Sequence, residues 1–360
     1  MKILHVETGM HLYGGAQQLA YLLDGLARRG VDNVLVCPPG AAIGARFRES
    51  RVKVVELRCS GDLDLGFVGR LSRTIAAERP QLVHLHSRRG ADLLGGIAAR
   101  RCRVPALLSR RVDNPEVRWW AQLKYRQYAR VICISEGIAA VLRNEGVAAD
   151  RIRVVRSAVD AQAWTRPAAR TEFRAAFDLP ENRLVAGVVA QLIERKGHRV
   201  LFEALARMPV AQRPLVLCFG RGPQRAALAA EVARLGLQAD VRFAGFRDDL
   251  PRWMGCLDLL VHPAYIEGLG VSLLQAAAAG VPIIASRAGG MPEAVRDGEN
   301  GLLVPPGDAA ALQAALLRLL TDDALRRRLG AGGPALIARE FSLDAMVDGN
   351  LAVYRELLGS

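Results

Sequence analysis

Apolar residues in this chain gather in short runs of Val, Ile, Leu and Cys, separated by stretches where they recur every three or four positions. A short run closed by Gly, Pro or a charge reads as a buried strand, and the 3.6-residue recurrence as a helix packed on it. The pattern predicts strands over 3–7, 33–37, 53–57, 82–86, 106–109, 131–134 and 152–155, with helices over 14–29, 66–78 and 91–100 and a further one capped by Ser135. A second series follows: strands over 184–190, 215–219, 241–243, 259–261 and 283–285, with helices over 224–235 and 271–279. A connecting helix over 171–177 lies between Pro167 and Pro180, and an amphipathic helix over 343–358 ends the chain. Strands alternating with helices imply parallel strands joined by crossovers, the doubly wound α/β layout. Ligands of such sheets lie beyond the carboxyl ends of the strands, so chemistry is sought in the loops that follow them.

Composition narrows the class. At 360 residues and 51% apolar content the chain can build two separate cores and is too hydrophobic to be disordered. The net charge of +13 is uneven: residues 1–158 carry 26 Lys and Arg against 14 Asp and Glu, a net of +12, while the remainder carries 23 against 22. A basic half suits an anionic partner such as a lipid surface or a phosphorylated substrate, although an arginine-rich solvated surface gives the same count. No stacking-aromatic sheet motif or helix-turn-helix signature accompanies the charge, and aromatics are only 5%, which argues against nucleic acid. Six cysteines scattered singly read as reduced core residues. Met1 and Lys2 run directly into a strand without an apolar signal region, and no apolar run reaches about 18 residues, so a cytoplasmic protein is expected.

The stretch richest in chemistry is 258–290, DLLVHPAYIEGLGVSLLQAAAAGVPIIASRAGG, which reads as strand, glycine-bearing loop, helix and strand. It brings the N–H groups of Leu269, Gly270 and Val271 to the positive end of a helix, where an anion can sit without a metal. Glu267 and Gln275 are about 2.2 turns apart and share roughly one face, a carboxylate and an amide for hydroxyls with phosphate between them. An ordinary turn before a core helix has the same appearance. In the first half, Gly14-Gly15-Ala16 opens a helix after the first strand, a phosphate-binding or close-approach geometry that lacks the third glycine of a dinucleotide fingerprint. His84, His86, Ser87, Arg88 and Arg89 follow one strand, and Arg110, Arg111 and Asp113 the next, around one crevice. The plain reading of the two histidines is one buried and one exposed ring on alternating strand faces; the strand end favours His86 for function. The chain has only four lysines, and Lys196 alone lies in the second half. Asp62 and Asp64 read as a solvated loop, so no metal is expected.

The 258–290 stretch resembles the nucleotide-sugar site of the family 4 glycosyltransferases, retaining enzymes of the GT-B fold, and the likeness is specific from about Val189 to Val304. In that family a Glu, seven residues and a second Glu grip the donor; Glu267 matches the first and Gln275 stands for the second, able to meet a ribose hydroxyl but uncharged. The family commonly holds the diphosphate with an Arg and a Lys; Gln191 stands for the Arg, Lys196 matches, and Arg195 is placed to supply the missing charge. The resemblance further assigns Gly14 and Gly15 to the cleft between domains, Arg247 to the nucleobase side, and Gly268 to Val271 to the donor. Many relatives carry a His after the later first-domain strand; here S-R-R-V-D-N-P stands there, which leaves Arg110 or Arg111 for an anionic acceptor group, with His86 nearby. The implied fold is α/β, two Rossmann-like doubly wound domains facing a cleft: 1–158 on the acceptor side, completed by 343–360, and 159–342 for the nucleotide sugar.

The implied activity is metal-independent transfer of a sugar from a nucleoside-diphosphate sugar, itself a substrate and not a cofactor, to a glycan or lipid-linked acceptor. Glu267 and Lys196 carry the catalysis in this reading. Lipopolysaccharide or other envelope glycan synthesis is the implied setting, at the inner face of an anionic membrane. The alternative is a non-catalytic nucleotide-sugar-binding protein, suggested by Gln191, Gln275 and the missing histidine.

Overall fold

The computed structural model describes residues 1–87 and 90–359, and divides into two compact units, Met1–Ala158 with Leu343–Ser360, and Val159–Ser342. Arg88 and Arg89, expected beside His86, lie outside the described residues.

The first unit is built on seven parallel strands: β1 (Lys2–Val6), β2 (Asp32–Cys37), β3 (Lys53–Glu56), β4 (Leu82–Leu85), β5 (Ala106–Arg110), β6 (Arg130–Cys133) and β7 (Ile152–Val154). Their order is β3-β2-β1-β4-β5-β6-β7, so the direction of winding reverses between β1 and β4. Both faces are covered by helices, which is why these strands read as continuous apolar runs. The terminal helix Leu343–Leu358 packs on the helix Gly14–Arg28, where Gly25 leaves room for Val347. Arg29 forks to Asp344 and Asp348 at 2.9 and 2.7 Å, which ties the chain end to this unit. Two helices here were not expected from the pattern, Ala42–Phe47 and Arg118–Tyr125.

One expectation is corrected by strand geometry. His84 and His86 stand two positions apart and therefore share a face, and both are buried instead of one being exposed.

The second unit has six parallel strands: β8 (Val185–Val189), β9 (Leu215–Phe219), β10 (Val241–Gly245), β11 (Leu259–His262), β12 (Ile283–Ser286) and β13 (Gly301–Val304), in the order β10-β9-β8-β11-β12-β13. Here the winding reverses between β8 and β11. The helices Ala309–Thr321 and Asp323–Glu340, also unforeseen, cover one side of the core; Asp308 and Asp322 cap their amino ends by accepting from backbone N–H groups.

Candidate active site

The loops after β8 and β11 meet where the strand order reverses, the position at which doubly wound sheets bind ligands. After β8 the chain makes one short turn, Glu194–Lys196, and then turns at Gly197 with φ +68°. A Cβ at Gly197 would collide with the carbonyl oxygen of Pro263, so only glycine allows the two loops to lie against each other. Tyr265 N–H donates to Arg195 O at 2.9 Å across the same seam. These contacts carry the Lys196 ammonium to the Glu267 carboxylate, with which it forms an ion pair at Oε2.

Glu267 is anchored from behind. Gly290 N–H donates to its carbonyl at 2.9 Å, and Gly289, at φ +54°, passes so close to that carbonyl that a side chain would not fit. In front, His262 Nε2 lies 3.2 Å from Glu267 Oε2, and Gly268 N–H donates to Oε1 at 3.2 Å. Burial alone would raise the Glu267 carboxyl, but the His262 hydrogen bond and the Lys196 ammonium outweigh it and bring it down to about 2. Burial lowers the His262 ring from its ordinary value, so it is a neutral donor to the carboxylate. Glu267 is thus an ionised acceptor across the physiological range, suited to holding hydroxyls and unable to act as a general acid.

Three residues further on, Gly270 turns at φ +89° into the helix Val271–Ala278. The first N–H groups of a helix have no partner within it, and among the described residues no backbone acceptor meets those of Leu269, Gly270 and Val271. An ammonium and a row of amide donors beside a fixed carboxylate can stabilise negative charge while gripping hydroxyls.

Gln275 is half-buried about one turn into the helix, Gln191 is exposed two residues past the end of β8, and Arg195 is half-buried in the loop that pairs with Tyr265. Arg247 follows the edge strand β10 and is held in a two-pronged ion pair with Asp249, at 2.7 and 2.6 Å. His262 was missed in the sequence; its only signal is its place as the last residue of β11.

In the first unit, Gly15, His86 and Arg111 line a cavity of about 520 Å³ at the β1/β4 reversal, together with Glu7, which was also not anticipated. Gly14 opens the adjoining helix. Of the two arginines proposed for an anion, Arg110 is the last residue of β5 and only 2% exposed, and its guanidinium is engaged by Glu116 and the Asn114 carbonyl. Both arginines line the cavity, but among the described residues Arg111, one residue on, has no carboxylate within ion-pair distance.

Comparison with known proteins agrees with this layout. The model of Glycosyltransferase Family 4 matches residues 13–163, and that of Glycosyl transferases group 1 matches 169–335. The lipopolysaccharide core biosynthesis glycosyltransferase LpsE of Rhizobium meliloti (strain 1021) is 30% identical over 377 residues, spanning 100% of this chain and 99% of its own. The 2-deoxystreptamine glucosyltransferase of Streptomyces kanamyceticus is 34% identical over 77% of each chain. Among solved structures, Anabaena Alr3699/HepE in complex with UDP superposes with a TM-score of 0.87 at 21% identity, covering 99% of this chain and 100% of that one. The apo form of the lipopolysaccharide outer core galactosyltransferase WaaB superposes at 0.77 with 18% identity, covering 99% and 100%. Two Rossmann-like units of this kind make a GT-B fold, and with a relative alike from end to end, the chain belongs to the family 4, group 1 glycosyltransferases.

Proposed function

We propose that this glycosyltransferase transfers a sugar from a nucleoside-diphosphate donor with retention of the anomeric configuration and without a metal ion. The observation that carries the reading is the Lys196–Glu267 pair across the β8/β11 reversal, next to the amide-rich start of the helix Val271–Ala278. A departing diphosphate gains negative charge; the ammonium of Lys196 and the free N–H groups are suited to receive it, while Glu267 orients the sugar hydroxyls. Gln275 then meets the ribose, and Gln191 the diphosphate, by hydrogen bonds in place of charge. That Alr3699/HepE was solved with UDP and with UDP-glucose, and that LpsE acts in lipopolysaccharide core biosynthesis, support a nucleotide-sugar donor and an envelope-glycan acceptor. No helix among the described residues is long and apolar enough to cross a membrane. The net +12 of residues 1–158 favours a cytoplasmic enzyme that docks on the anionic inner face of the cell membrane.

Thermal-shift screening of nucleoside-diphosphate sugars should find a donor that raises the melting temperature with occupancy. With that donor, Lys196→Ala should lose most turnover in excess chelator while still folding; near wild-type turnover would refute the role of Lys196. Binding without turnover on any acceptor would mark a nucleotide-sugar sensor instead. Failure to bind anionic vesicles at low salt would remove the membrane reading.

A further inference from the structure

The cavity of the first unit contains a buried cation that the Glu7 carboxylate attracts without pairing with it. Arg111 Nε is buried without an acceptor, and among the described residues no carboxylate stands within ion-pair distance of the guanidinium. Its polar contact is from NH2 to His86 Nδ1 at 3.4 Å. A guanidinium only donates, so Nδ1 must accept and the ring proton of His86 sits on Nε2. His86 Nε2–H then donates to His5 Nδ1 at 3.1 Å, and His5 Nε2–H donates to Asn33 Oδ1 at 3.2 Å. The far end agrees with this assignment: Asn33 Nδ2 donates to Val31 O at 2.9 Å, which turns Oδ1 towards His5. Burial keeps both rings neutral, with His5 lowered to about 4 and His86 well below its ordinary value. One direction of donation therefore runs from Arg111 through two neutral imidazoles and an amide to the backbone.

The same proton assignment weakens the other reading of this cluster. The ring nitrogens of His5, His84 and His86 lie within 4.8 Å of one another, as in a metal cage. However, His86 Nε2 carries a hydrogen where a metal needs a lone pair, and both His84 nitrogens are taken, by Tyr354 OH at 2.6 Å and Ser109 Oγ at 2.8 Å.

We propose that this cavity is a subsite for the acidic group of a sugar ligand, a carboxylate or a phosphate, with Arg111 as the anion receptor and His86, His5 and Asn33 as the residues that position it. An oxyanion satisfies a guanidinium through two parallel hydrogen bonds, which neutral His86 cannot do. Glu7 supplies the complementary wall. Its Oε1 is occupied by Ser87 Oγ at 2.6 Å and Gly9 N–H at 2.8 Å, which among the described residues leaves Oε2 for sugar hydroxyls. Gly15 makes room, since a Cβ there would stand 3.2 Å from Arg111 Cδ. The proposal rests on the chain handling glycosyl substrates, and the acid belongs either to the acceptor or to the transferred sugar.

Histidine-labelled protein at pH 7 provides the test. Long-range ¹H–¹⁵N spectra should show His5 and His86 neutral with the proton on Nε2; a charged ring or an Nδ1 tautomer at either position overturns the positioning chain. Titration with D-glucuronate or D-glucose 6-phosphate should move the His86 signal with a Kd at least tenfold below that for D-glucose. Arg111→Gln should abolish that preference, and Arg111→Lys, which keeps the charge without the fork, should retain part of it. Equal affinity for D-glucose, or a preference that survives Arg111→Gln, overturns the subsite. Tighter binding of UDP-glucuronate than of UDP-glucose, lost in Arg111→Gln, would support it with the acid on the donor; equal donor binding alongside the probe preference would support it with the acid on the acceptor. These readouts do not involve turnover, so they fail separately from the donor screen.

Discussion

Replacing Lys196 by methionine removes the ammonium and keeps most of the stem, which isolates what the charge does for Glu267. The Glu267 carboxyl lies at about 2 against an ordinary 4.5, a net preference for the ionised form in spite of burial. A displacement of that size corresponds to about 3 kcal/mol, and the two side chains are only 9% and 15% exposed, so solvent screening takes little from it. Without Lys196 the carboxyl keeps only His262 against burial and moves back up, so Lys196→Met should destabilise the second unit by up to about 3 kcal/mol at pH 7, in the range for breaking a buried pair. The sign follows from the depressed value. The contribution of Glu267 is fully present above pH 4.5 and disappears as pH falls from 4.5 through about 2, so wild type and variant should converge across that window. Urea unfolding followed by tryptophan emission suits the measurement, because Trp164 and Trp253 are 7% and 3% exposed in the second unit whereas Trp119 in the first is already 66% exposed. Adding Glu267→Gln should recover part of the loss, since no unpaired charge then stays buried. A variant within about 0.5 kcal/mol of wild type, or a double variant equal to the sum of the singles, would refute the reasoning.

Gly197→Ala should lower the urea midpoint of the second unit by more than a surface substitution does, at a cost of about 3 kcal/mol or more. It combines a left-handed φ of +68° with a collision against Pro263 O, and an unchanged midpoint would refute the seam between the two loops. Acid should weaken both units before the carboxylates titrate. His5 in the first unit and His198 in the second are each held at about 4 by burial, against an ordinary 6.5. Their folded values are depressed, so the stability from keeping them neutral is fully present above pH 6.5 and is lost between 6.5 and 4, at up to about 1.4 kcal/mol per pH unit for each ring. Melting temperatures that stay flat from pH 7 to pH 4 would contradict this.

The strands were legible because a parallel sheet covered on both faces leaves each strand a nearly continuous apolar run, and β9 and the helix Gly66–Glu78 have the bounds read from the sequence. The helix Ala309–Thr321 was overlooked although Asp308 supplies an ordinary start signal, because its many alanines and leucines blur the contrast between faces. Arg118–Tyr125 was hidden by two tryptophans and a tyrosine, which are indifferent helix formers. In the site, the errors are ones of parity and of strand order. His84 and His86 share a face because they are two apart; Arg110 and Arg111 both line the cavity, but the first is spent on Glu116 while the second has no ion pair among the described residues. His262 was passed over since a polar residue at the end of an apolar run resembles a terminator, and its value appears only when the chain has turned back to place Glu267 within 3.2 Å. Lys196 and Glu267 are 71 positions apart, and nothing local to either announces the other. What joins them is that β8 lies beside β11, so the residues at strand ends are visible in the sequence, while which of those ends face one another is a property of the winding order.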